Sequence, residues 1–327
     1  MQAALPNNMK HEAYLDGWRG MSILLLLAGH YSLLPFYTGR LGVECFFVLS
    51  GRLMAEILFV RRAPLDLFYW RRVTRIFPAL WLFVLAMLFA TTFLPNLAVD
   101  PWSALVALTF TINYFPTEGT TLGHVWSLCV EEHSYVVLSI TAFLQRRLLI
   151  RPVPVLLILS LACALNGAIQ TWIFHRDFNQ VYWHSDVRMA SVLISAALFL
   201  TFREKHVHSA IPIVAGVVGL AMSFLVPDPV RYTVGTFGLS LALATLPNAA
   251  RLVRSLLSIP PLTTLGLWSF SLYLWQQPFA GKEPRLAFLL LAFLAAIFSY
   301  YVVETPARSF LNRLFSSDDK RSARHSA

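Results

Sequence analysis

His30, Glu44, Glu131 and Glu132 lie inside stretches that are otherwise apolar, and a short run of arginines, Arg71, Arg72 and Arg75, closes the first such region. A charge at the centre of a membrane helix costs about 2.5–3.5 kcal/mol even on lenient insertion scales, so each of these groups requires a physical reason. Histidine is the side chain best suited to take a proton from a hydroxyl near neutral pH, and carboxylates on other segments could orient its ring. The alternative for His30 is a structural bond to a neighbouring helix. Glu131 and Glu132 are about 100° apart on a helix, so they cannot share one partner. Ser127 and Glu131 fall on one face at i,i+4, with Trp126 beside them; a plain interhelical contact is the other reading of this group.

The arginine run contains no lysine. Arginine's planar fork matches phosphate better than lysine's point charge, so the run suits an anion site. Orientation and lipid headgroups account for basic residues at span ends equally simply. Arg52 and Glu56 at i,i+4, and Asp16 and Arg19 at i,i+3, are spaced to neutralise one another.

The elements that carry these residues must be membrane helices. Of 327 residues 57% are hydrophobic and 13% charged, against roughly 25% charged in soluble domains. Such a chain cannot cover a water-facing surface. The net charge of +9 is scattered between apolar runs and forms no basic domain, which excludes a nucleic-acid partner as the expectation. Cys45, Cys129 and Cys163 each lie in an apolar run, where a thiol acts as a small hydrophobe.

A bilayer core needs roughly 20 apolar residues in helical form. The runs are 18–37, 41–60, 77–95, 101–115, 124–144, 153–173, 185–202, 210–226, 231–247, 262–280 and 285–304. Eleven crossings would place Arg146, Arg147 and Arg151 on the opposite side from Arg61–Arg75, against the positive-inside rule. If 101–115 is re-entrant or interfacial, all basic clusters share the cytoplasmic side. The fold expected is therefore all-α and polytopic, with about ten transmembrane helices plus one such segment and both termini cytoplasmic. Residues 1–13 and 317–327 read as tails of one membrane domain, 14–316.

Several motifs together are similar to one known family. Tyr14-Leu-Asp-Gly-Trp-Arg-Gly20 followed by Gly29-His30, Gly42-Val-Glu-Cys-Phe-Phe-Val-Leu-Ser-Gly51, Arg71-Arg-Val-Thr-Arg-Ile-Phe-Pro78 and Trp126-Ser-Leu-Cys-Val-Glu-Glu132 resemble the signatures of the acyltransferase-3 family of integral-membrane O-acyltransferases. Ser271-Leu-Tyr-Leu-Trp275 and Glu304-Thr-Pro306 resemble its last two spans. Three departures stand out. Arg52 replaces a usual apolar residue, His133-Ser134-Tyr135 stands where members often have Gln-Phe-Tyr, and Gln276 follows Trp275 where many members have histidine.

The resemblance implies a bacterial inner-membrane enzyme with an acyl-CoA donor, acetyl-CoA foremost. Its acceptor would be a hydroxyl of a cell-envelope glycan or lipid-linked sugar. The expected catalytic residues are His30, which either deprotonates the acceptor hydroxyl or accepts the acyl group itself and relays it outward, and Glu131, which orients or charge-balances the site; Arg72 and Arg75, with Arg71 as accessory, would bind the donor's phosphates. Asp16, Arg19, Glu44, Trp126, Ser127 and Glu132 would support the site, Glu44 near its outer mouth; no metal is implied. Some relatives carry an extracytoplasmic hydrolase-like domain. This chain stops about twenty residues past its last apolar run, so the expectation is transfer alone or with a separate extracytoplasmic partner. A small secreted metabolite as acceptor, and a proton-coupled transporter, are the alternatives; the latter lacks the paired repeats common in transporters.

Overall fold

The structure is a computed structural model, and it describes residues 12–115 and 119–314. The described residues form helices joined by short turns, with no strand among them. Where lipid surrounds a chain, helices satisfy every backbone polar group internally. The expected tails lie almost wholly outside the described residues.

Helix α1 spans Ala13–His30, α2 Gly39–Ala55 with a π turn over Glu56–Val60, and α3 Leu65–Thr91. Then come α4 (Pro101–Leu108), α5 (Trp126–Leu148), α6 (Pro152–Trp172), α7 (Phe178–Trp183), α8 (Ser185–Phe202) and α9 (Ala210–Leu225). Helix α10 is a single turn, Asp228–Val230, leading through a π turn into α11 (Thr236–Thr245). Helices α12 (Arg251–Leu257), α13 (Pro260–Trp275) and α14 (Arg285–Phe298) complete the order, and α14 runs through a π turn so that helix continues to Leu314. That π turn ends just before Pro306, whose missing N–H and ring break the regular i→i−4 ladder.

Four helices, α3, α6, α8 and the long α14, are by length and composition able to cross a membrane. The expected run 101–115 contains only eight helical residues, about 12 Å at 1.5 Å per residue, too short to cross alone. It opens on a capping box between Asp100 and Ser103. The Asp100 carboxyl is held below its ordinary range by hydrogen bonds from Ser103. Because α4 does not traverse the bundle, α5 starts at the end where α3 finished. Arg146 at the end of α5 donates to the carbonyls of Leu58 and Ala63, at 3.0 Å each. The Arg61–Arg75 and Arg146–Arg151 clusters thus lie at one end of the bundle, called here the basic end.

Three helix boundaries differ from expectation. Helix α1 begins at Ala13 and stops at His30 rather than running 18–37; Pro35 withdraws a donor and restricts Leu34, so the apolar Leu33–Tyr37 segment forms a loop. His30 therefore closes a helix instead of sitting in the middle of one. Helix α3 begins at Leu65, and Pro78 lies inside it, where a span start was expected. The short α7 and α12 are elements that the hydropathy pattern does not reveal.

Helix α1 packs along α2 and α13, and α8 along α2 and α6. Gly266 on α13 permits a close approach: a Cβ there would stand 2.1 Å from the carbonyl oxygen of Asp16. Gly29 does the same at the other end, where a Cβ would lie 2.2 Å from the amide nitrogen of Gly39. Small residues at such crossings let backbones meet in membranes, and here they bring His30 against the start of α2 and the end of α13.

Candidate active site

Two cavities lie end to end between α1, α2, α5 and α13. The first, about 100 Å³, is at the basic end and is lined by Arg19, Arg72, Arg75, Ser50 and Glu131 among others. The second, about 320 Å³, holds His30, His124, Tyr37, Trp126 and Tyr182. Val43, Ser127 and Tyr273 line both.

In the arginine cavity the N-terminal halves of α1 and α3 present their cations together. Arg19 pairs with Asp16 at 2.7 Å, as the i,i+3 spacing suggested. Arg72 pairs with Glu132 at 2.7 Å and lies 3.6 Å over the Tyr135 ring. Glu131, on the next helix position, takes hydrogen bonds from Ser50 at 2.9 Å and Tyr135 at 2.7 Å. The adjacent glutamates thus serve different partners, as their 100° separation requires. Arg75 has Arg19, Arg72 and Arg308 as cationic neighbours and Glu304 as the acidic one; among the described residues it forms no ion pair within 4 Å. Three clustered guanidiniums with one of them unpaired make a site for an anion bearing more than one charge. Arg71 is exposed and does not line this cavity.

In the histidine cavity, His30 Nδ1 lies 2.8 Å from the Gln276 side-chain oxygen. The Gln276 amide nitrogen faces the Tyr273 carbonyl (3.4 Å) and the Gln277 oxygen (3.2 Å), which fixes which end of the amide meets the ring. An amide oxygen only accepts, so the ring proton sits on Nδ1 and the Nε2 lone pair is left for the cavity. Gln276 is itself fully buried and held by a Tyr31 hydroxyl bond to its carbonyl at 3.0 Å. Trp126 packs on Phe47, Tyr182 and Trp183, forming an aromatic wall.

Ser127 and Tyr273 hydroxyls are 2.8 Å apart, and Tyr273 donates to the His124 carbonyl oxygen. His124, 7% exposed, has Nδ1 at 3.1 Å from the Thr121 carbonyl and Nε2 without a hydrogen-bond partner among the described residues. Neither His124 nor Gln276 was singled out from sequence as a site residue. His124 directly precedes the Val125–Trp126 motif start, and proximity to that motif was the available signal. Gln276 had registered only as the loss of a histidine.

Glu44 stands apart. It is 3% exposed and joined to Arg188 and Thr236, and it lines a neighbouring cavity that shares Tyr37 and Arg40 with the one holding His30. Arg188, 1% exposed and 3.8 Å over the Tyr232 ring, is the buried cation that explains this carboxylate. Arg52 pairs with Glu12 at 2.8 Å and Glu56 with Arg61, so the expected Arg52–Glu56 pair does not form. The last two motifs do meet: Ser271 donates to Glu304 at 2.8 Å. The described residues contain no cluster of metal-ligating side chains.

A family profile described as an acyltransferase domain matches residues 12–304. The chain is similar to O-acetyltransferase OatA of Staphylococcus aureus, 28% identical over 90% of this chain and 57% of the relative. It is 24% identical to peptidoglycan O-acetyltransferase OatA of Listeria monocytogenes, over 95% of this chain and 58% of that protein. To the putative peptidoglycan O-acetyltransferase YrhL of Bacillus subtilis it is 26% identical, over 82% and 49% respectively. The chain thus spans about half to three-fifths of the length of these relatives. No solved structure matches it.

Proposed function

The chain belongs to the acyltransferase-3 family, and from that premise we propose that it is a membrane O-acyltransferase that moves an acetyl group from acetyl-CoA to a hydroxyl of a cell-envelope glycan, peptidoglycan being favoured by the names of its relatives. One observation carries the proposal: an arginine-lined cavity at the basic end adjoins a histidine-lined cavity, with Ser127 and Tyr273 common to both.

The basic end faces the cytoplasm by the positive-inside rule, and acyl-CoA is made there. Its phosphates dock on Arg75 and Arg72, with Arg19 completing the cluster. Glu132 and Glu131 balance the charge while the donor is absent, which keeps three buried cations tolerable. The pantetheine arm then lies along the cavity and delivers the thioester to the Ser127–Tyr273 junction. In the second cavity, His30 Nε2 accepts the proton of the acceptor hydroxyl. The new C–O bond forms as the thioester C–S bond breaks, and the CoA thiolate leaves, to be protonated in turn. Gln276 keeps the Nδ1 proton in place so that Nε2 is the basic atom throughout. The aromatic wall of Trp126, Tyr182 and Tyr37 offers apolar faces on which the C–H face of a sugar ring can lie. General-base action of this kind contributes about 10²–10⁴ in rate.

The test is mass spectrometry of envelope glycans from cells with and without the protein, together with CoA release by the purified protein from acetyl-CoA. Loss of O-acetyl groups on deletion is expected. Unchanged glycans with no CoA release would overturn the proposal.

A further inference from the structure

Val43 of α2, Ser127 of α5 and Tyr273 of α13 are the side chains that line both cavities, so they form the waist through which anything passing from one to the other must go. The Tyr273 ring is not free to swing. Its hydroxyl donates to the His124 carbonyl and accepts from Ser127 at 2.8 Å, and its ring lies 5.1 Å from the His124 ring. Since the single tyrosine proton is committed to the carbonyl, the Ser127 hydroxyl must be the donor in the second bond. Both hydroxyls are therefore used up in holding the ring, and neither has a proton left for a substrate oxygen. On the arginine side the room is about 100 Å³ against about 320 Å³ beyond the waist; space runs out before the junction, not after it.

From this geometry we infer that Tyr273, clamped by Ser127 and His124, sets the length of the acyl group: the waist admits an acetyl thioester and excludes longer chains. The inference rests on the donor route proposed above. An acetyl group ends in a single methyl and can present its carbonyl at the waist with the ring in place. A hexanoyl tail leads its thioester and must thread the waist past the clamped ring into the larger cavity, which requires the ring to give way against a packed histidine. Discrimination by one pocket wall of this kind is worth roughly tenfold or more.

The experiment offers the purified full-length protein equal concentrations of acetyl-CoA and hexanoyl-CoA with a soluble N-acetylglucosamine–N-acetylmuramic acid oligomer as acceptor, and reads the ratio of the two esters by mass spectrometry. Wild type is expected to transfer acetyl almost exclusively. Tyr273→Ala is expected to raise the hexanoyl-to-acetyl ratio by at least roughly tenfold, and Tyr273→Phe, which keeps the ring but loses both bonds, by less. Val43→Ala widens the same waist without touching the clamp and decides the matter should Tyr273→Ala fail to fold; a severalfold rise is expected. An active Tyr273→Ala or Val43→Ala protein with the wild-type ratio would overturn the inference while leaving the transferase proposal standing. A folded wild type that transfers neither group would overturn both together.

Discussion

The arginine cavity takes its charged lining from the N-terminal halves of α1, α3 and α5, three stretches already marked by clustered ionisable residues. The histidine cavity is assembled from the end of α1, the turn before α5, the short α7 and the residues just past α13. The first balances charge against charge: Arg72 with Glu132, Arg19 with Asp16, and Arg75 left over. In the second the imidazoles are held by an amide oxygen and a backbone carbonyl, and the cation in its lining, Arg40, is paired with Asp228 at 3.9 Å. A binding site for a polyanion is built from unneutralised cations, whereas a general base must be kept neutral, and neutral acceptors do that where a carboxylate would raise its charge. Under the proposed function, donor affinity belongs to one cavity and the chemical step to the other.

Substitutions can break or sharpen that division. The largest effect is expected from His30→Ala, a fall in turnover of about 10²–10⁴ at unchanged membrane abundance and unchanged donor affinity, measured by CoA release and by calorimetric binding of CoA. Full activity would remove chemistry from the histidine cavity. Next comes Arg75→Ala, where loss of charge-assisted hydrogen bonds worth about 1.5–3 kcal/mol raises the KM for acetyl-CoA about tenfold to a hundredfold. Arg75 has no ion pair to break among the described residues, so its melting temperature should hold. Arg72→Ala, by contrast, strands Glu132 and should also lower stability by about 3 kcal/mol in denaturant unfolding. Equal destabilisation by the two variants would contradict the pairing.

Gln276→Leu is expected to lower kcat by about fivefold to tenfold, the worth of one neutral hydrogen bond, with KM for the donor unmoved. It frees the His30 tautomer, so a flattened pH–rate profile should accompany the loss; a pure KM effect would deny Gln276 its positioning role. The smallest change belongs to Arg71→Ala. An exposed side chain outside the cavity should alter KM by less than about twofold, although sequence spacing had grouped it with Arg72 and Arg75. A change as large as that of Arg75→Ala would return Arg71 to the donor site.

Much of the arginine cavity was legible because its information is local. Asp16 with Arg19, and Ser127 with Glu131, are helix-spaced neighbours, and helical period alone puts them on shared faces. Glu131 and Glu132 had to part company for the same reason. The histidine cavity was legible only at His30. Its orienting group, Gln276, is 246 residues away in the chain, and no spacing rule reaches that far. Glu44 has the same limit: its motif position marks it, while the partner that accounts for its charge, Arg188, lies 144 residues on in α8.

Composition by itself determined that the chain is helical and lipid-facing, because a charged fraction of 13% cannot clothe a water-facing surface and lipid leaves the backbone few alternatives to helix. Its local spacing fixed which side chains share a helix face. Only the tertiary structure decided which faces meet. Helix termini and crossings are set by close backbone approach, as at Gly29 against Gly39 and Gly266 against Asp16, and these are contacts between segments whose separation along the chain carries no period. The placement of His30 at a helix end, the amide that fixes its proton and the tyrosine between the cavities all follow from those crossings.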